Sequence, residues 1–251
     1  MDRKEKLYLV IPCYNEQEVL HETEHRLTVK LNQMISDGLI SDESRMVFVD
    51  DGSKDSTWNI IKDMHEKNGL VLGIKSSRNR GHQNTLLAGL MTVKDECDMA
   101  ISMDADLQDD IEVLDEFVKK YYDGCEIVYG VRSARKTDTF FKKFTAEGFY
   151  KVMKWMGADI VFNHADYRLM SSRALNELAK YKEVNLFLRG IVPMIGFKTD
   201  VVMYERHERF AGESKYPLKK MLAFAMDGIT SLSIKPIRFI TSLGVILFAF
   251  S

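Results

Sequence analysis

The chain has 251 residues, 45% hydrophobic and 29% charged, with a formal net charge of −2. That length carries one large core, or one domain and an appendage, and the near-neutral charge gives no global attraction to nucleic acid, which is not expected as a partner. Cys13, Cys97 and Cys125 are far apart and form no C-x-x-C pair, which argues against a disulfide framework or zinc site and for buried free thiols.

Residues 6–11 read as a buried strand closed by Pro12; the run is too short for a signal peptide. After the loop Cys13-Tyr14-Asn15-Glu16, a helical pattern runs from 16 to about 35. Residues 45–49 form a second strand ending in Asp50-Asp51-Gly52-Ser53, and Ser53 or Asp55 is expected to cap a helix through about 67. A third strand covers 70–75, and residues 76–81 make a loop with Arg78, Arg80 and Gly81 before a helix over 82–94.

The fourth strand, 98–101, leads into Ser102-Met103-Asp104-Ala105-Asp106-Leu107-Gln108-Asp109-Asp110. Two carboxylates two residues apart beyond a strand end can reach one cation, and Mg²⁺ or Mn²⁺ prefers such oxygen ligands. Asp-x-Asp alone is equally an acidic turn. A helix over 111–122 and a strand over 126–131 follow. Strands alternating with helices predict an α/β fold, a mostly parallel sheet with helices on both faces. Ligands in such sheets bind beyond the carboxyl ends of the strands, where every polar cluster so far lies.

The pattern then loosens. Residues 132–138 are polar and basic, 139–156 form an aromatic-rich helix, and 165–170 a strand bearing Asp166 and Arg168. Another strand covers 196–204, before a charged loop over 205–216. Residues 217–231 place apolar side chains at helical spacings with a basic edge. Lys235 and Arg238 precede the uncharged run 239–251, read as the start of a membrane segment, although a span needs about 20 such residues.

The first-half loops suit a nucleoside diphosphate. Asp50 and Asp51 can accept hydrogen bonds from base or ribose, Arg78 and Arg80 can face the phosphates, and Gly81 can let the backbone approach them. Asp104 and Asp106, with Gln108 nearby, would hold the metal. Arg132, Arg168, Arg209 and Lys215 together point to an anionic head group, since arginine grips phosphate as a fork. His82, His164 and His207 lack metal-ligand spacing and read as structural or polar-loop residues. Trp58 and Trp155 read as core or interfacial anchors.

Ile11-Pro12-Cys13-Tyr14-Asn15-Glu16, Asp50-Asp51-Gly52-Ser53, Asn79-x-Gly81 and Asp104-Ala105-Asp106-Leu107-Gln108-Asp109 occur in this order in family 2 glycosyltransferases. The chain resembles their polyprenyl-phosphate branch, which includes dolichol-phosphate mannose synthases and bactoprenol-phosphate glucosyltransferases. Its most specific match is Arg209-Phe210-Ala211-Gly212-Glu213-Ser214-Lys215-Tyr216. The chain departs at Asp110, where many relatives carry proline, and at its end, where bacterial relatives usually continue through two membrane helices.

The resemblance implies a GT-A fold, a Mg²⁺ or Mn²⁺ cofactor and inverting transfer of a hexose to polyprenyl phosphate at the cytoplasmic face of the cell membrane. The expected donor is UDP-glucose; N-acetylglucosamine and mannose are the alternative sugars. Asp166 is assigned a positioning or base role, with Asp106 and Arg132 also catalytic. Pro12, Tyr14, Glu16, Asp50, Asp51, Arg78, Gly81, Asp104 and Ala105 are assigned to the nucleotide, and Arg132, Arg168, Arg209 and Lys215 to the acceptor phosphate. Residues 1–216 are expected to form the catalytic domain, 1–131 on the nucleotide side and 132–216 on the acceptor side. Residues 217–236 would form a juxtamembrane segment and 237–251 would enter the bilayer. A homo-oligomer and a membrane flippase are further expected partners. A processive polysaccharide synthase is disfavoured because neither tryptophan lies in a Gln-x-x-Arg-Trp motif. A nucleotidyltransferase would want a glycine-rich loop after the first strand, and a non-catalytic binding protein would not need the two metal carboxylates.

Overall fold

The computed structural model describes residues 4–133, 164–183, 187–206 and 235–250. It forms two compact units. The first, Met1–Ser133 with Asn163–Lys182 and Ile195–Glu213, holds a seven-stranded sheet of order β3-β2-β1-β4-β6-β5-β7. Its strands are β1 (Leu7–Cys13), β2 (Arg45–Asp50), β3 (Val71–Lys75), β4 (Met99–Ser102), β5 (Ile127–Arg132), β6 (His164–Ser171) and β7 (Thr199–Tyr204). Among the described residues, five α-helices accompany them: α1 (Leu20–Ser36), α2 (Thr57–Lys67), α3 (His82–Val93), α4 (Leu114–Tyr122) and α5 (Ser172–Leu178).

The expected α/β sheet is present. Parallel pairing links β1 with β2 and β4, β2 with β3, and β5 with β7. The exception is β6, antiparallel to both β4 and β5. Because β2 and β4 flank β1 on opposite sides, the chain reverses its winding there, and a crevice opens beyond the strand ends.

Side-chain alternation packs both faces. Leu7, Leu9 and Ile11 join Phe48, Leu27, Leu31, Ile61 and Phe117 in the main core. On the other face α3 lies close to the sheet: a Cβ at Gly89 would stand 2.6 Å from Val10 Cγ1 and 2.8 Å from Val49 Cγ2. Trp58 packs against the main core, and all three cysteines are buried and free.

Three sequence boundaries are corrected. Pro12 lies inside β1 rather than closing it, opposite Val49. Proline is tolerated because β4 ends at Ser102, opposite Val10, so the missing N–H falls where no partner strand remains. The first helix begins at Leu20, since Asn15 takes a left-handed φ of 53° and turns the chain. Neither Ser53 nor Asp55 is the residue before α2; that is Ser56, whose side chain makes no cap bond. Asp55 instead accepts the Thr57 N–H at 3.0 Å, and Ser53 accepts the Asn15 N–H.

The second unit comprises Ala134–Phe162, Glu183–Met194 and Ser214–Ser251. Its described helices are α6 (Leu188–Met194) and α7 (Lys235–Phe250). Ile240, Val245, Ile246, Leu247, Phe248 and Phe250 of α7 are exposed. At 16 residues α7 reaches roughly 24 Å, short of a bilayer core of about 30 Å. No helix among the described residues is long and apolar enough to cross a membrane. The sequence assignments for 134–163 and 207–234 lie outside the described residues, among them the aromatic helix with Trp155, the amphipathic segment, His207, Arg209 and Lys215.

Candidate active site

The loops after β1 and β2 are laced together. Cys13 O accepts the Asp51 N–H at 2.8 Å, Ser53 Oγ the Asn15 N–H, and Thr57 Oγ1 the Glu16 N–H at 2.8 Å. Asn15 Oδ1 accepts the Lys54 N–H in return. The Asp51 carboxylate accepts two backbone N–H groups, from Arg80 at 2.7 Å and Gly81 at 2.9 Å. Asp51 therefore shapes the loop over 76–81, a role its sequence assignment to the nucleotide did not include. Gly52 permits the same approach: its φ is +67°, and a Cβ there would lie 2.7 Å from the Arg78 carbonyl carbon.

Asp50 is fully buried, and its Oδ1 accepts the Ser53 N–H at 3.1 Å. Its Oδ2 has no hydrogen-bond partner among the described residues. A buried carboxylate oxygen left so is costly unless a ligand supplies a donor. Tyr14 and Glu16 are half-buried, Pro12 is buried, and Arg78 is exposed on the crevice loop.

The acidic loop leaves β4 as Met103 N–H donates to Val10 O. Ala105 is buried, and its carbonyl accepts the Thr23 hydroxyl at 2.7 Å, tying the loop to α1. Asp104 keeps 41% of its side chain exposed, whereas Asp106 is buried and its Oδ1 accepts the Gln108 N–H at 3.2 Å. Between them and Gln108, Leu107 takes a φ of +56°, which costs about 1–2 kcal/mol in a branched residue. Burial of the Leu107 side chain offsets that cost.

Strand β6 brings the second half to this loop. Ser102 pairs with Arg168 in register, and the Ser102 hydroxyl donates to the carbonyls of Asp166 and Arg168. Arg168, assigned to the acceptor phosphate from sequence, is buried and donates to Asp166 Oδ1 at 3.0 Å. Here it grips Asp166, which is 11% exposed. His82 Nε2 stands 3.5 Å from Asp166 Oδ2 and 3.8 Å from Asp104 Oδ1.

A second cluster surrounds Arg132 at the end of β5. Tyr204 Oη donates to Asp109 Oδ1 at 2.6 Å and accepts from Arg132 Nε at 3.1 Å, while Arg132 Nη2 lies 3.6 Å from Asp109 Oδ1. Burial, and then the charge of Asp104, push the Asp109 carboxyl up to about 6 against the opposing pull of Tyr204 and Arg132. Arg206, just past β7, donates to the Gln108 side chain. Burial, and then the like charge of Arg132, lower the Arg206 guanidinium below its ordinary value.

The structure thus gathers Asp104, Asp106, Gln108, Arg132, Asp166 and Arg168 at one end of the sheet. Sequence reasoning missed Arg206, Asp109 and Tyr204, and it read His82 as a structural or polar-loop residue. Their partners lie 22 to 98 residues away, so no local spacing could reveal them. The one available signal was His82 following directly on the Asn79-x-Gly81 turn.

Among the described residues, no group of three His, Cys, Asp or Glu side chains is placed to hold a metal. A divalent ion that shares its shell with a diphosphate needs only one or two carboxylates, the rest coming from waters and phosphate oxygens. Asp104, half exposed, and Asp106 beside it fit that hard-oxygen role, with the Gln108 amide oxygen at hand.

Comparison with known proteins adds independent findings. The sequence model of "Glycosyl transferase family 2" matches residues 8–179. An "uncharacterized glycosyltransferase YkoT" of Bacillus subtilis (strain 168) is 58% identical over 245 residues, 98% of this chain and 73% of the relative. A prophage bactoprenol glucosyl transferase homolog of Escherichia coli (strain K12) is 38% identical over 96% of this chain and 76% of its own length. The bactoprenol glucosyl transferase of Shigella phage SfV is 38% identical over the same share of this chain and 76% of its own. Among solved structures, glucosyl-3-phosphoglycerate synthase from Mycobacterium tuberculosis, in complex with Mn²⁺, UDP and phosphoglyceric acid, superposes with a TM-score of 0.57 at 13% identity. It covers 91% of this chain and 77% of that one. At that identity the likeness concerns the fold.

Proposed function

The chain belongs to glycosyl transferase family 2, and from that premise we propose that it transfers glucose from UDP-glucose to polyprenyl phosphate. Relatives named as bactoprenol glucosyl transferases, matched over almost the whole chain, support the reaction. The observation that carries the site is the insertion of β6 beside β4, which sets Asp166 and Arg168 next to the Asp104–Asp106 loop. A donor end and an acceptor end thereby share one crevice.

The nucleotide sugar would lie over the loops after β1 and β2. Asp50, whose buried Oδ2 lacks a hydrogen-bond partner among the described residues, and the Asp51-ordered turn would receive base and ribose, and Arg78 would face the diphosphate. Asp104 and Asp106, with Gln108, would hold Mg²⁺ or Mn²⁺. Bound there, the ion supplies Lewis-acid stabilisation of the leaving diphosphate. Arg132, with Arg209 and Lys215 from the segment that follows, would hold the acceptor phosphate.

A phosphate oxygen of the acceptor attacks the anomeric carbon as the bond to the diphosphate breaks, and UDP departs. One displacement inverts the configuration. The nucleophile is ionised near neutral pH, so orientation outweighs proton removal. Asp166, held on one oxygen by Arg168, lines the acceptor approach as a positioning group.

Residues 1–216 would form the catalytic part and 217–236 a juxtamembrane segment. The exposed apolar side chains of α7 would meet the lipid in which the acceptor chain is buried, with the catalytic part on the cytoplasmic side. A panel of radiolabelled nucleotide sugars offered with polyprenyl phosphate tests the reading. Label is expected in the lipid from UDP-glucose; labelled lipid from another sugar alone, or from none, overturns it.

A further inference from the structure

We propose that His82 is a positioning residue that sets the spacing between the donor end and the acceptor end of the site. The proposal rests on the function given above and deepens it. One imidazole nitrogen, Nε2, approaches carboxylates from two different elements: Asp166 Oδ2 of β6 at 3.5 Å and Asp104 Oδ1 of the acidic loop at 3.8 Å. These belong to the two halves of the reaction.

His82 is itself held from behind. It is the first residue of α3 and follows Gly81, whose φ is +86°. The Asp51 carboxylate fixes that turn through the backbone N–H groups of Arg80 and Gly81. The helix is then seated on the sheet at Gly89. Asp166 is equally constrained: its Oδ1 accepts from Arg168, and its Oδ2 stands toward His82.

Two carboxylates facing one crevice repel each other. With the imidazole proton on Nε2, an N–H presented between them would be attracted to both, so they could stand near one nitrogen. A solvated histidine at a helix start would account for one such neighbour. It does not account for an imidazole with 31% exposure placed between two carboxylates from separate elements. The consequence is alignment: the loop that carries Asp104 and the strand that carries Asp166 keep a set distance. A misplacement of about 1 Å between reacting groups can cost on the order of a hundredfold in rate.

The experiment compares His82→Ala and His82→Gln with the wild-type enzyme. The alanine variant is expected to lose about ten- to a hundredfold in kcat, with KM for UDP-glucose within about threefold of wild type. Its melting temperature should still rise when UDP and Mn²⁺ are added without acceptor. Glutamine, whose side-chain amide also offers N–H donors, should restore most of kcat. An alanine kcat within threefold of wild type, a glutamine variant no better than alanine, or loss of the UDP–Mn²⁺ shift would each overturn the proposal. A fourth measurement needs no substrate: the melting-temperature changes of His82→Ala and Asp166→Asn should be non-additive when combined, and additivity would overturn the contact. If the wild-type enzyme glucosylates no lipid, the function reading falls, and this cycle still decides the case for His82.

Discussion

Tyr204 Oη donates a 2.6 Å hydrogen bond to Asp109 Oδ1 across 95 residues of sequence, and the same hydroxyl accepts from Arg132. The end of β7 is thereby joined to the acidic loop and to the arginine proposed for the acceptor phosphate. Tyr204→Phe would take from Asp109, 3% exposed, the hydroxyl that donates to it and leave Arg132 3.6 Å away. Loss of a bond to a buried charged group costs about 1–3 kcal/mol. Urea unfolding should show a loss of that size, and transfer assays a raised KM for polyprenyl phosphate at nearly unchanged KM for UDP-glucose. Wild-type stability together with wild-type acceptor KM would show that the hydroxyl is dispensable.

Asp106→Asn tests the metal. Replacing one carboxylate with an amide removes ligand charge while keeping shape, so the fold should survive. Lewis-acid stabilisation is worth several kcal/mol, and each 1.36 kcal/mol is tenfold in rate. Turnover should fall about a hundredfold or more, and EDTA should abolish wild-type activity until Mg²⁺ or Mn²⁺ is restored. Full wild-type activity in excess EDTA would sink the assignment.

Gly52→Ala tests the donor loop. The added Cβ would meet the Arg78 backbone at 2.7 Å, and the residue would have to keep a φ of +67°. Left-handed backbone costs a residue with a Cβ about 1–2 kcal/mol, and the 76–81 loop must shift as well. Calorimetry should register weaker UDP binding, whereas acceptor KM should change little. Unaltered UDP affinity would place the nucleotide away from this loop.

Truncation after Tyr216 tests docking. It removes α7 with its exposed Ile240, Leu247, Phe248 and Phe250, together with the basic residues from Lys219 to Arg238. Basic residues near an anionic surface contribute about 1 kcal/mol each. Flotation with anionic liposomes should collapse, while some transfer to a short, water-soluble prenyl phosphate persists. Unchanged flotation of the shortened chain would rule the docking role out.

Through residue 132 the strands and helices were legible in the sequence, because short apolar runs, helical periodicity and glycine or aspartate turns are local signals. So was the Asp104–Asp106 loop, since a strand end followed by two spaced carboxylates lies within ten residues. The motif matches extended that reading to family and reaction. The direction and place of β6 were not legible. An apolar strand reads alike in either direction, and strand order depends on pairing across the whole chain. Only that placement, antiparallel between β4 and β5, brings Asp166 to His82 and sets the buried Arg168 against Asp166. The same holds for Asp109, Tyr204 and Arg132, which three separate elements deliver to one point. Local pattern determines which elements form, whereas long-range pairing decides which side chains meet.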